Sequence, residues 1–99
     1  MDYTLIRVIS ADHPSLAGHF PAEPIVPGVV ILDEVLQAVR RWRGPCRLTA
    51  LPTVKFLFPL QPNQPFTVHL FGNTDSNRVK FACRFADRLI VQGQLEISF

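Results

Sequence analysis

The feature that most limits how this chain can fold is one long stretch that cannot be regular. Residues 10–27, SADHPSLAGHFPAEPIVP, hold Pro14, Pro21, Pro24 and Pro27. Each proline ring fixes φ and removes a backbone donor, so no helix or sheet interior runs through the stretch. Leu16, Phe20, Ile25 and Val26 lie in it too, which is more apolar than a disordered segment. Long loops in small domains are functional or disordered, so a packed active-site loop is the expectation. A strand over residues 3–9 precedes it. Behind it, from Gly28 to Trp42, GVVILDEVLQAVRRW meets no breaker until Gly44-Pro45. With Pro27 setting φ at the entrance, this reads as one helix of about four turns.

Everything after Gly44-Pro45 reads as strand. Residues 47–60 alternate imperfectly and are broken by Pro52 and Pro59. QPNQP at 61–65 is a turn, residues 66–71 a strand, and GNTDSN at 72–77 a hairpin turn. Val79, Phe81, Cys83 and Phe85 point one way; Arg78, Lys80 and Arg84 point the other. Ala86-Asp87-Arg88 is a tight turn. In the last strand, Leu89, Val91, Leu95, Ile97 and Phe99 line one face, opposite Gln92, Gln94, Glu96 and Ser98. Gly93 leaves a gap on the inner face where another backbone can approach. Strand, long loop, one helix and a run of antiparallel strands make an α+β domain, a single helix laid on a curved antiparallel sheet. Residues 1–99 read as one domain.

Such a small domain has a thin core, yet 47% of the residues are hydrophobic and 18% charged. The surplus apolar material points to a subunit interface or an apolar ligand tunnel. A net charge of +2 is too small to argue for nucleic acid. Arg40, Arg41, Arg43 and Arg47 form the one basic knot, read as a solvated helix end with an acidic partner's docking patch as the alternative. Cys46 and Cys83 have no metal spacing and read as core thiols of a cytosolic protein. MDYTLIRVISADH has no charged leader and apolar core, so no signal peptide is expected. No apolar run reaches the roughly 20 residues of a membrane span.

Asp33 stands within VVILDEVL, the most apolar part of the helix. A carboxylate buried there costs several kcal/mol unless paired or hydrogen-bonded. Gln37, one turn on at i+4, can donate its amide to that carboxyl. The alternative is a position that reaches solvent or an interface salt bridge. Glu34 points about 100° away and reads as the surface residue of the two, with Arg41 two turns on. The loop before the helix presents His19 in GHFP, stiffened by prolines. The first N–H groups of the helix, near Gly28 and Val29, lack intrahelical acceptors and can polarise a carbonyl oxygen. Gly28 has no side chain to keep a substrate off the backbone. Base, acid and oxyanion donors together suit removal of a proton α to a thioester carbonyl and expulsion of a β-hydroxyl. His13 and His69 read as structural. Metal, nucleotide and other cofactors are not expected, nor is a serine or cysteine nucleophile.

GHFPAEPIVPGVVILDEVLQ, residues 18–37, resembles the 3-hydroxyacyl-[acyl carrier protein] dehydratases of type II fatty-acid synthesis. The matching elements are His19-Phe20-Pro21, Pro24, Pro27-Gly28-Val29, an acid at position 33 and Gln37. VKFLFPLQPNQP, residues 54–65, looks like the family's next strand and turn without its usual glycine and acid. The resemblance implies a hot-dog fold, a long central helix wrapped by a curved antiparallel sheet, in a homodimer. It implies that His19 of one subunit and Asp33 of the other share each site. His19 then takes the C2 proton and Asp33, oriented by Gln37, protonates the leaving hydroxyl. The N–H of Gly28 or Val29 holds the thioester oxygen, and the basic knot meets an acyl carrier protein bearing the substrate on phosphopantetheine. Asp33 stands where many relatives have Glu, as in the branch that also isomerises the double bond, and Ala22 stands where glycine is common. The segments ADHPSLAGHFP and VVILDEVL look most like the small dehydratase-like proteins of aryl-polyene and related polyketide clusters. A hot-dog thioesterase and a catalytically silent acyl-carrier binding module are the competing readings.

Overall fold

The structure, a computed structural model, describes residues 2–14, 25–72 and 76–99. Strand β1, Asp2–Arg7, is followed by helix α1, Gly28–Arg43. Then come β2, Arg47–Phe56; β3, Phe66–Phe71; β4, Arg78–Phe85; and β5, Arg88–Ser98. The five strands form one sheet in the order β1-β3-β4-β5-β2, every neighbour antiparallel. The helix lies over the β1–β3 side of the sheet. Tyr3 of β1 stacks on Trp42, ring centres 6.2 Å apart. Arg7 Nε donates to Glu34 Oε2 at 2.7 Å. Among the described residues the β2 side has no helical cover, and the molecule measures 45 × 26 × 21 Å.

Alternation sets the inner faces. Phe66, Val68 and Leu70 of β3 and Val79, Phe81 and Cys83 of β4 are buried against Val30, Ile31, Val35, Ala38 and Val39 of α1. Arg78, Lys80 and Arg84 face out, as the pattern requires. In β5, Val91, Leu95 and Ile97 face in as expected, but Ile90 is buried as well. The cause is a register shift between Cys83 and Arg84, where the strict two-residue alternation slips. Phe99 is 68% exposed rather than inward, because the ladder ends at the pair Arg47–Ser98.

Gly93 is placed as the sequence suggests. A Cβ there would run into the carbonyl oxygen of Thr53 and lie 3.0 Å from Phe81 Cζ. The β2 backbone thus packs where a side chain would be. Opposite it, β2 carries Pro52 at a point where its register against β5 shifts, between Ala50 and Thr53. An edge strand tolerates that proline because its outer N–H positions have no partner to lose.

Helix α1 ends at Gly44, whose φ of 91° suits glycine and whose N–H donates to the Arg40 carbonyl at 2.8 Å. The basic knot is only partly a solvated end. Arg40 Nε donates to the Cys46 carbonyl at 2.9 Å. Arg43 donates to the Ser76 carbonyl at 2.6 Å and lies 4.4 Å from the Trp42 ring centre. Arg41 and Arg47 remain exposed.

The turn from β4 to β5 holds Ala86 at φ 52°, a left-handed conformation that costs an L-residue roughly 1–2 kcal/mol. Ala86→Gly removes that strain but frees the unfolded chain. A net gain of about 0.5 kcal/mol is expected, read as a higher urea midpoint at unchanged slope. Cys83 is fully buried, and desolvation pushes its thiol from 9.0 up to about 12, slightly opposed by Arg84. The folded state therefore holds this proton after the unfolded chain has lost it, and stability declines as pH rises from 9.0 toward about 12. In mildly alkaline buffer, iodoacetamide is expected to spare Cys83 in the folded protein and modify it after denaturation, as mass spectrometry of the peptides would show.

Candidate functional site

Pro27, with φ −58° and ψ 142°, stands at the N-cap of α1 without a side-chain cap, and no acidic residue occupies the first turn. Its carbonyl accepts from the N–H of Val30 at 3.0 Å and, more weakly, Ile31 at 3.4 Å. The N–H groups of Gly28 and Val29 precede the first intrahelical acceptor. The first turn itself thus supplies no carboxylate to neutralise the positive end of the helix. Gly28 and Ile31 line an apolar cavity of about 410 Å³, walled opposite by Phe56, Leu57 and Phe58. The empty side of Gly28 faces the Phe56 ring: a Cβ on Gly28 would sit 2.6 Å from Phe56 Cζ. An aromatic side chain, not open space, is what lies closest to that backbone in the single chain.

Asp33 is exposed, contrary to the burial its apolar neighbours suggest. The reason is helical phase. At about 100° per residue, Val30, Ile31, Val35, Ala38 and Val39 turn one side of α1 onto the sheet. Asp33 falls on the opposite side, in line with Val29, 73% exposed, and Gln37, also exposed. These three residues, spaced by four, form one outward stripe. No hydrogen bond joins Asp33 to Gln37 among the described residues. Glu34, expected at the surface with Arg41, is instead the more enclosed acid. It pairs with Arg7 of β1, the two side chains 16% and 31% exposed. A contact across 27 residues has no local signature in the sequence.

His19 and the GHFP segment lie outside the described residues. His69, read as structural, sits on β3 with its Nε2 3.1 Å from Asp2 Oδ2. Among the described residues no group of three His, Cys, Asp or Glu side chains is placed to hold a metal ion. Sequence reasoning missed the apolar run Phe56-Leu57-Phe58 as part of this site. All three are about half exposed although they continue a strand, and an FLF triplet next to Pro59 is the signal that marks it.

A family model described as "ApeI-like: ApeI dehydratase" matches residues 2–94. The 3-hydroxyacyl-[acyl-carrier-protein] dehydratase FabZ of Rickettsia bellii is 28% identical over 101 residues, 93% of this chain and 68% of that protein. FabZ of Chloroflexus aggregans is 32% identical over 90 residues, 91% of this chain but 52% of its own length. This chain therefore spans 52% to 68% of the length of these relatives. In fold, it superposes on the dehydratase heterocomplex ApeI:P from Xenorhabdus doucetiae with a TM-score of 0.86 at 23% identity, covering 99% of this chain and 88% of that one. It superposes on the fluoroacetyl-CoA-specific thioesterase FlK at 0.78 with 16% identity, covering 99% and 84%. The fold is thus the hot-dog fold, and with its match along nearly the whole length, the chain belongs to the ApeI-like family of dehydratases.

Proposed function

We propose that this protein dehydrates 3-hydroxyacyl thioesters, carried on an acyl carrier protein, to trans-2-enoyl thioesters. The observation that carries the proposal is the start of α1. Gly28, at the uncapped helix start, lines an apolar cavity, and the outward stripe that begins at Val29 puts Asp33 one turn away. In this reading the Gly28 or Val29 N–H binds the thioester oxygen and stabilises the charge that builds there when C2 loses its proton. His19 takes that proton. The electron pair forms the C2–C3 double bond, the C3–O bond breaks, and Asp33 delivers a proton to the departing hydroxyl, releasing water. Gln37 orients the Asp33 carboxyl.

An exposed acid can do this only where water is excluded, which calls for a second protomer. The uncovered side of the sheet supports that. β2 is an edge strand, and Leu48, Leu51, Phe56, Leu57 and Phe58 stand partly exposed on it and just beyond it. An unpaired, apolar edge in a chain this small is a place for pairing. In the proposed homodimer His19 of one protomer meets Asp33 of the other. The exposed Arg41 and Arg47 are proposed as the contact for the acidic carrier. The free thiols of Cys46 and Cys83 suit a reducing compartment such as the cytoplasm, and no described helix is long and apolar enough to cross a membrane.

The thioesterase reading rests on fold likeness alone. Incubation with a 3-hydroxyacyl thioester separates the two. Enoyl thioester absorbing in the ultraviolet, with the thioester intact, supports dehydration. Release of free thiol without that absorbance supports hydrolysis, and neither product supports a silent carrier-binding module.

A further inference from the structure

The face of the sheet turned away from α1 carries a small hollow of its own, about 270 Å³ in volume. Cross-strand register builds it. Lys80 of β4 faces out and pairs with Gln94 of β5, which pairs in turn with Thr53 of β2. Residues opposite one another share a face of the sheet, so these three form one row across it, with Phe71 at the β3 end. Two residues along, on the same side, Gln92 of β5 pairs with Lys55 of β2. All six residues line the hollow, with a lysine on either side of β5. No carboxylate lines it. The nearest in register are Asp2, opposite Phe71, and Glu96, two residues past Gln94. Both are engaged: Asp2 by His69 at 3.1 Å, Glu96 by Arg78. Among the described residues neither Lys55 nor Lys80 has an ion pair. Two like charges beside one hollow repel each other, and an anion between them relieves both.

We propose that this hollow binds the phosphate group of a small phosphorylated metabolite. The donors are two ammonium groups, two side-chain amides and one hydroxyl. A carboxylate offers one charge and two oxygens to such a set. A phosphate monoester offers about −1.5 to −2 charges and three strong acceptor oxygens, and lysine serves phosphate as a point charge. The hollow is smaller than the roughly 300–1,000 Å³ of a drug-sized ligand's site, which suits a short ester and not a nucleotide. The sheet itself separates this hollow from the start of α1, so its ligand does not compete with a substrate at Gly28. The site stands independently of the proposed reaction.

Titration of the protein with glycerol 3-phosphate at low ionic strength, followed by NMR of the backbone amides, tests this. The amides of Lys80, Gln92 and Gln94 are expected to shift together and to saturate with a Kd near or below about 1 mM. Glutarate, a dicarboxylate, is expected to bind at least about fivefold more weakly. Lys55→Ala and Lys80→Ala are each expected to weaken phosphate binding about tenfold, as loss of a charge-assisted contact does. Arg84→Ala removes an equal charge from the same face outside the hollow and is expected to change it less than about twofold. The same spectra show that each variant stays folded. Inorganic phosphate bound as tightly as the ester assigns free phosphate as the ligand; weaker binding assigns the ester. Shifts that never saturate overturn the proposal, as do a Lys55→Ala or Lys80→Ala loss no larger than that of Arg84→Ala and equal binding of glutarate. Enoyl formation is measured separately, and its failure leaves this site standing.

Discussion

Replacing Asp33 by Asn is expected to cut dehydration by about a hundred- to ten-thousand-fold, the usual worth of a positioned acid or base, with the folding transition shifted by no more than about 0.5 kcal/mol. The two halves of this expectation have separate grounds. Asp33 lies on the outward stripe of α1 and makes no ion pair among the described residues. Its fold therefore does not depend on the charge, and Asn keeps the shape. What Asn cannot do is hand a proton to a leaving hydroxyl. His19→Asn removes the proton acceptor and should cost a similar factor. Because the two groups act in one step, the double variant should fall little below the weaker single variant. Initial rates of enoyl formation, with thermal unfolding on the same samples, check all three. Unchanged turnover in either single variant would remove this pair from the mechanism. A collapse of folding with Asp33→Asn would show that the carboxyl serves structure instead.

Gly93→Ala is expected to destabilise the fold by about 3 kcal/mol or more, at the upper end of what overpacking does. For a domain of this size that lowers the melting temperature by at least about 12 °C. The added Cβ would meet the Thr53 carbonyl oxygen, which is backbone and cannot rotate aside, and would lie 3.0 Å from Phe81 Cζ in the core. Relief requires β2 to lift from β5, and β2 is the free edge proposed to pair with a second protomer. Gly28→Ala is the informative contrast. Its Cβ would also be too close to a neighbour, at 2.6 Å, but that neighbour is the tip of the Phe56 ring, 51% exposed and able to swing outward. Little change in stability is expected there. Thermal unfolding of the two variants side by side checks the contrast, and a Gly93→Ala protein as stable as the parent would refute the packing account.

Much of this was legible in the order of residues, because the rules concerned are local. Proline and glycine stop the helix within a residue of where it stops: the sequence marks Gly28 to Trp42, and α1 runs Gly28–Arg43. Period-two alternation assigns the faces of β3 and β4, and a glycine in a strand announces a close backbone. The expected inward Phe99 failed because a strand's face means nothing once its ladder has ended.

The sequence by itself determined the order of the elements, the ends of the helix and the presence of acids in its mostly apolar first half, while the strands ended earlier than read, β1 at Arg7 rather than residue 9 and β2 at Phe56 rather than residue 60. Only the tertiary structure decided which acid faces out. VVILDEVL is apolar over too much of its circumference for its own periodicity to choose a side: Leu32 and Leu36, both half-buried, flank the outward stripe as well. The sheet chose, by taking Ile31 and Val35 inward and by placing Arg7 of β1 against Glu34. The same holds for β1 pairing with β3 and for Arg88 over Phe58. Such contacts join residues far apart in the chain, and their energies arise only when the whole fold closes, so no local pattern of residues can encode them.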